Sequence, residues 1–264
     1  MTSPSEELRE RATKLGLYGV LAHWAEYAKA SWFPALIDRE EAARGRRSLD
    51  RRIKTARIGR FKLLADFDWT WPKRLDRSLV EELLTLDFLV PDKETAACSN
   101  VVFIGPNGVG KTTLAQNVAH KAVLDGHTVR FATASELLND LVSQESASSL
   151  ARRILRYTKP QLLVIDEVGY LSYDSRHADL LFEVISRRSQ KSTMITTNRP
   201  FAEWGEIFPN ASSVVALVDR LMHRAEVVEI EADCSYRAKE AKEREERRAA
   251  ERAARRRAKR KRAS

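Results

Sequence analysis

The sequence predicts an α/β fold: a parallel P-loop sheet flanked by helices, preceded by an all-helical segment and followed by a basic tail. Three observations point to it. The apolar run VVFI at 101–104 leads straight into a glycine loop and a helix start. A second apolar run, QLLVI at 161–165, ends in the pair Asp166 and Glu167. Before about residue 95, apolar residues recur at offsets of three and four, and no alternating strand pattern occurs.

At the N-terminus, Leu8, Ala12, Leu15, Tyr18, Leu21 and Ala25 form a helical stripe, with Gly16 and Gly19 as the break between two short helices. Pro34 suits the first turn of a further helix, with Ser31 upstream as its cap. That helix continues through Ile37 and keeps a stripe at Leu49, Ile53, Ala56 and Arg60. Arg46, Arg47, Arg51, Arg52, Lys54 and Arg57 project around it. Residues 39–62 hold 10 basic side chains against the 3 acids Glu40, Glu41 and Asp50. So few acids cannot neutralise the surface by i,i+4 pairing, and the phosphate backbone of DNA is the expected partner of these six cations.

Trp24, Trp32, Trp69 and Trp71 lie in the same segment. Tryptophan in a small helical domain is more often core or interface than a stacking platform for bases. A helix after Pro72 carries Leu79, Val80, Leu83, Leu84 and Leu86. The polar stretch PDKETAACSN that follows marks the expected boundary between a helical domain, 1–95, and an α/β domain, 96–236.

Gly105, Gly110, Lys111 and Thr112 fit G-x-x-x-x-G-K-[ST]. With Pro106, Asn107, Gly108, Val109 and Thr113 they form a candidate phosphate cradle for ATP. Glycines let the backbone approach the ligand so that successive N–H groups face the β-phosphate. Lys111 adds a point charge, the Thr112 hydroxyl suits a Mg²⁺ shell, and the helix start turns its positive end to the same anion. TVRFAT at 128–133 reads as the next strand, with Ser135 as the cap of the helix after it.

QLLVIDE then places two carboxylates at the carboxyl end of a strand, where open α/β sheets bind ligands. Asp166 is the candidate Mg²⁺ holder through its water shell, and Glu167 the base that accepts a proton from the attacking water. The strand 193–197 ends in Asn198, a polar side chain placed to meet the γ-phosphate. A helix over 214–224 puts Arg220 and Arg224 on one face, four residues apart, before a last strand, VVEIEA.

Composition narrows the class. A hydrophobic share of 43% over 264 residues supports a real core, while Cys98 and Cys234 stand far apart, without metal-ligand spacing. The start MTSPSEELRE is polar and acidic, and no run of 18 apolar residues occurs, so neither a signal peptide nor a membrane span is expected and the cytoplasm is the expected compartment. The net charge of +9 is localised: residues 237–264 carry 14 Lys/Arg against 5 Asp/Glu, and the rest of the chain 32 of each. That tail has no apolar stripe beyond alanine and reads as basic and flexible, with a helix possible in its first half.

The motifs GPNGVGKTT, LLVIDEVGY, TTNRP and VDRLMHRAEVVEI, in that order and ending in SYR, resemble those of the IstB-type ATP-binding helper proteins of bacterial transposons. These belong with the DnaC helicase loaders to the AAA+ class, and the resemblance covers roughly residues 5 to 240. It implies an ASCE-type sheet, ATPase activity, assembly of a homo-oligomer on double-stranded DNA, and delivery of a target site to a cognate transposase. On that resemblance Asn198 looks like the sensor 1 residue, and Arg220 like the finger offered to a neighbouring subunit's γ-phosphate, with Arg224 as the fallback and Arg237 as a second sensor. Two other readings share part of the pattern. A DnaC-like loader would bind a replicative helicase through the N-terminal segment, and a small-molecule P-loop kinase would need no arginine in trans.

Overall fold

The computed structural model describes residues 3–170, 173–208 and 213–263, with the side chains of 213, 237 and 253–263 outside that description. The chain divides into two units, Met1–Lys54 and Thr55–Ser264. Four helices build the first: α1 (Pro4–Lys14), α2 (Tyr18–Ala22), α3 (Trp24–Tyr27) and α4 (Phe33–Ala56). Ser3 and Glu6 form a capping box at the start of α1, satisfying backbone donors that the first turn leaves without helical partners. Ala12, Leu15, Phe33 and Ile37 are buried together, with Trp24 edge-on to Phe33 at 5.8 Å. Arg11 bridges Asp38 at 2.5 Å and Glu41 at 2.6 Å. The break after α1 turns Tyr18 off the expected apolar stripe, and it is 75% exposed. The α4 helix stops at Ala56, short of Arg60, because Arg57 takes a left-handed φ of 55°.

The second unit contains β1 (Arg74–Leu75), α5 (Arg77–Leu83), β2 (Asn100–Ile104), α6 (Lys111–Leu124), β3 (Val129–Thr133), α7 (Ala134–Val142) and α8 (Ala147–Thr158). It continues with β4 (Leu162–Val168), α9 (Ser175–Ser186), β5 (Ser192–Thr197), α10 (Trp204–Ile207), α11 (Ser213–Met222), β6 (Ala225–Glu231) and α12 (Tyr236–Ala263). The strand order is β1-β6-β2-β5-β4-β3, parallel except for β1 against β6. Residues 162–166 of β4 are all buried, as a strand covered on both faces must be. From α7, α9 and α11, Leu137, Leu141, Leu181, Val184, Leu217 and Leu221 pack into one core with Leu163, Ile165 and Ile195. The α6 helix buries Leu114, Ala115, Val118 and Ala119 against the sheet.

Several details differ from the sequence expectation. The division falls at 54/55 rather than 95/96. Residues 55–95 join the second unit because their polar backbone finds partners there: Arg74 pairs with Glu231 across β1 and β6, and Asn117 of α6 holds Leu64 N–H at 2.8 Å and the Lys62 carbonyl at 2.9 Å. The cap of α7 is Thr133, whose hydroxyl accepts from Glu136 N–H at 3.1 Å, while Ser135 lies within the helix and meets the Tyr173 hydroxyl. Arg224 is past the end of α11 with φ 62°, so it does not share a helix face with Arg220. The basic tail is helical over Tyr236–Ala263, so the helix allowed in its first half extends through the second, consistent with the strong helix propensity of Ala, Glu, Lys and Arg. Among the described residues no helix is long and apolar enough to cross a membrane.

Candidate nucleotide site

The glycine loop turns between β2 and α6 at the carboxyl edge of the sheet. Gly110 precedes α6 with φ 98°, and a Cβ there would stand 2.8 Å from the Phe67 ring. Both the left-handed backbone and the close ring demand glycine. Lys111 opens the helix and is nearly buried. Its ammonium folds back on the loop, donating to the carbonyls of Gly105 at 2.6 Å and Pro106 at 2.7 Å. Burial lowers its pKa to about 8, against the pull of Asp166 and Glu167 in the other direction.

Asp166 is 3% exposed. Its Oδ1 accepts from the Thr112 hydroxyl at 3.0 Å and from the Thr196 hydroxyl. Burial raises its pKa above the usual carboxylate range, opposed by those two hydroxyls and by Lys111. The pairing of β4 with β5 shifts register between Ile165 and Val168. In that bulge Glu167 adopts φ 61° and exposes its side chain, while its N–H donates to Thr196 Oγ1 at 2.9 Å. Thr196 therefore holds both carboxylate residues, one by donating and one by accepting. Asn198 follows the end of β5 and faces the same space.

A cavity of about 310 Å³ runs along residues 107–113 and is also lined by Glu167, Thr196 and Asn198. Gly105 and Pro106 serve it indirectly, as the carbonyls under Lys111. Its other wall comes from residues outside the expected cradle, some of them next to Arg237, the expected second sensor. Lys62, Phe67 and Trp71 arrive from the stretch before β1, and Tyr236 and Glu240 from the root of α12. Trp71 meets Tyr236 edge-on at 5.3 Å, and Phe67 meets Trp69 at 4.9 Å. The available signal was the aromatic density of FDWTWP at 67–72, which contains Trp69 and Trp71. Thr196 gave none, because its role depends on the β4 bulge.

Thr112 and Asp166 set two hard oxygen donors against each other, a donor set that suits Mg²⁺ bound together with phosphate oxygens. The structure thus brings Lys111, Thr112, Asp166, Glu167 and Asn198 to one site. Arg220 is elsewhere: Asn100, at the opposite end of β2 from the loop, donates to its carbonyl at 3.4 Å. Its exposed guanidinium stands 5.3 Å from the Phe182 ring centroid. Arg224 is tied to the Thr95 hydroxyl, and the side chain of Arg237 lies outside the described residues. Of the expected DNA contacts, Arg46, Arg47, Arg51 and Lys54 are exposed in the first unit, where Arg52 is half-buried and donates to Ser48 at 2.8 Å; Arg57 is exposed in the second.

Comparison with known proteins agrees with this arrangement. Residues 8–244 match a family profile described as IstB-like ATP binding protein. The ATP-binding protein of insertion sequence IS5376 from Geobacillus stearothermophilus is 33% identical over 252 residues, covering 92% of this chain and 98% of that protein. Its counterpart in IS21 from Pseudomonas aeruginosa is 36% identical over 205 residues, 77% of this chain and 75% of that one. Among solved structures, the fold resembles the replication initiator DnaA bound to AMPPCP and single-stranded DNA, with TM-score 0.52, 22% identity and coverage of 65% of this chain and 50% of that chain. It also resembles DnaI, with TM-score 0.51, 16% identity and coverage of 68% and 90%. The α/β sheet shares its fold with these solved structures, and the chain belongs to the family of IstB-like ATP-binding proteins.

Proposed function

We propose that this chain is a cytoplasmic ATPase that assembles on duplex DNA with ATP and helps a transposase capture its target. The observation that carries the reading is the partition of the site. Lys111, Thr112, Asp166, Glu167 and Asn198 line or support one cavity, while Arg220 stands exposed at the other end of β2. Such a site holds ATP in one subunit and takes its arginine from the next. ATP seats its phosphates on residues 107–113, with the base toward Phe67, Trp71 and Tyr236, whose ring faces suit stacking. Lys111 leaves the two loop carbonyls for the β- and γ-phosphates. Thr112 and Asp166 would hold Mg²⁺, which neutralises phosphate charge when bound. Glu167, kept outward by the bulge, takes the proton of the attacking water, and Asn198 orients the terminal phosphate. Arg220 in trans stabilises transition-state charge, which makes turnover depend on assembly. The names of the relatives, all insertion-sequence ATP-binding proteins, favour the transposition role.

Mixing tests the shared site. Lys111→Ala and Arg220→Ala subunits should each be inactive alone with DNA and recover ATP turnover when combined, because a mixed junction contains one intact loop and one intact arginine. Light scattering should show growth only with ATP analogue and duplex DNA together. No recovery on mixing, with no growth, would sink the shared-site reading. Capture of a replicative helicase instead of a transposase would reassign the partner.

A further inference from the structure

The last helix is rooted in the nucleotide cavity. Tyr236 N–H donates to the Gly108 carbonyl at 2.9 Å, and Ser235 is so near that a Cβ on Gly108 would stand 2.7 Å from its own. The facing wall is tied to the same turns of α12. Lys62 pairs with Glu240 at 2.8 Å, and Lys239 with Asp68 at 2.7 Å. Positions 236, 239 and 240, which carry these ties, share one helix face. Any ligand that fills the cavity touches this root.

Charge then changes along the helix rather than around it. Residues 237–251 carry 6 Lys/Arg and 5 Asp/Glu, whereas residues 252–264 carry 8 Lys/Arg and no acid. At about 1.5 Å per residue, α12 extends about 42 Å, so its purely basic end lies well beyond the cavity. Eight like charges in so few turns repel one another and call for an external polyanion. Alanine is the only apolar residue type in that half, which leaves no stripe to insert into a bilayer. A nucleic-acid backbone, with regular phosphates and no need for an apolar face, fits this surface.

We propose that α12 is a nucleic-acid arm: its distal half grips duplex DNA phosphates, and its root couples that grip to the nucleotide. The coupling rests on the reading of the cavity as the ATP site. By reciprocity, ATP and DNA then change each other's affinity by the same factor.

The test uses the full chain, duplex DNA and adenylyl-imidodiphosphate. DNA binding is followed by fluorescence anisotropy across a salt series, with and without nucleotide. The variant Arg255→Gln, Arg256→Gln, Lys259→Gln, Arg260→Gln should lower the slope of log affinity against log salt by about 3 to 4, roughly 0.9 per lost phosphate contact. Its nucleotide affinity without DNA should not change. The variant Asp68→Asn, Lys239→Met, which frees the root, should leave most of that slope intact but shrink the nucleotide-dependent change in DNA affinity several-fold. An unchanged slope in the first variant, with nucleotide still bound, overturns the arm alone. Tail-dependent binding to phosphatidylserine vesicles in its place does the same. Failure of the full chain to bind the analogue overturns the cavity reading and the coupling with it.

Discussion

Lys111 is the residue on which nucleotide binding and pH meet. In the free protein its ammonium is buried against two carbonyls, and burial brings its pKa down to about 8. A polyphosphate supplies the negative charge that favours the protonated form, so the pKa rises on binding. The complex therefore holds more protons than the free protein at alkaline pH, and linkage fixes the sign. Affinity should be flat below about pH 8 and fall by up to about tenfold per unit above it, until the pKa of the complex is reached. Titration with adenylyl-imidodiphosphate between about pH 7.5 and 9.5, by calorimetry in two buffers of different ionisation heat, should show proton uptake that grows with pH. Lys111→Ala should bind weakly with no such uptake. A wild-type profile without a break near pH 8 would contradict the buried, carbonyl-bound lysine. The motif alone identified this residue, but not its folded-back state, which follows from the loop carbonyls and the burial around them.

At the scale of elements, Arg188 governs how the site's strands are held. It is 2% exposed and has no carboxylate partner among its described contacts. Its guanidinium donates to the carbonyls of Tyr157 at 2.9 Å, Pro160 at 2.8 Å and Gln161 at 3.1 Å, to the Ser192 carbonyl, and through Nε to the Thr193 hydroxyl at 3.1 Å. These groups belong to the end of α8 and the starts of β4 and β5, the strands that carry Asp166, Glu167 and Thr196 to the cavity. Arg188→Ala leaves several buried carbonyls without donors and should destabilise the protein by about 3 kcal/mol or more in denaturant titration. Lysine should recover little, since one ammonium cannot span that fan of acceptors. A loss under about 1 kcal/mol would mean that water or a shifted strand end replaces it. The apolar runs made β2 and β4 readable, because strands buried on both faces are mostly apolar; β5, STMITT, is buried throughout although four of its six side chains carry hydroxyls. Arg188 was not readable: beside Arg187, which pairs with Glu183 at the surface, RRSQK looks like a solvated turn. The two-residue β1 has no period to detect, so the segment before it looked like part of the helical domain.

For the whole molecule, the proposed DNA binding would draw on two separate basic segments. Residues 1–236 are balanced at 32 charges of each sign, and the excess resides in 237–264, yet residues 39–62 are locally basic by 10 to 3. Arg46, Arg47 and Arg51 on α4 are exposed, and Arg47 meets Glu40 only at 3.8 Å, a surface pair of little energetic weight. Neutralising Arg46, Arg47, Arg51 and Arg52 to glutamine should therefore weaken duplex binding. The slope against log salt should fall by up to about 3 to 4, with equal losses on unrelated sequences because phosphate contacts carry no base information. Circular dichroism should show α4 retained, since glutamine is nearly as good a helix former as arginine. If α4 and α12 grip the same duplex through separate phosphates, combining this change with the α12 substitutions should add the two slope losses. Only the α12 part should vary with nucleotide. An unchanged slope in the α4 variant would remove these residues from the DNA surface and leave α12 to account for the salt dependence.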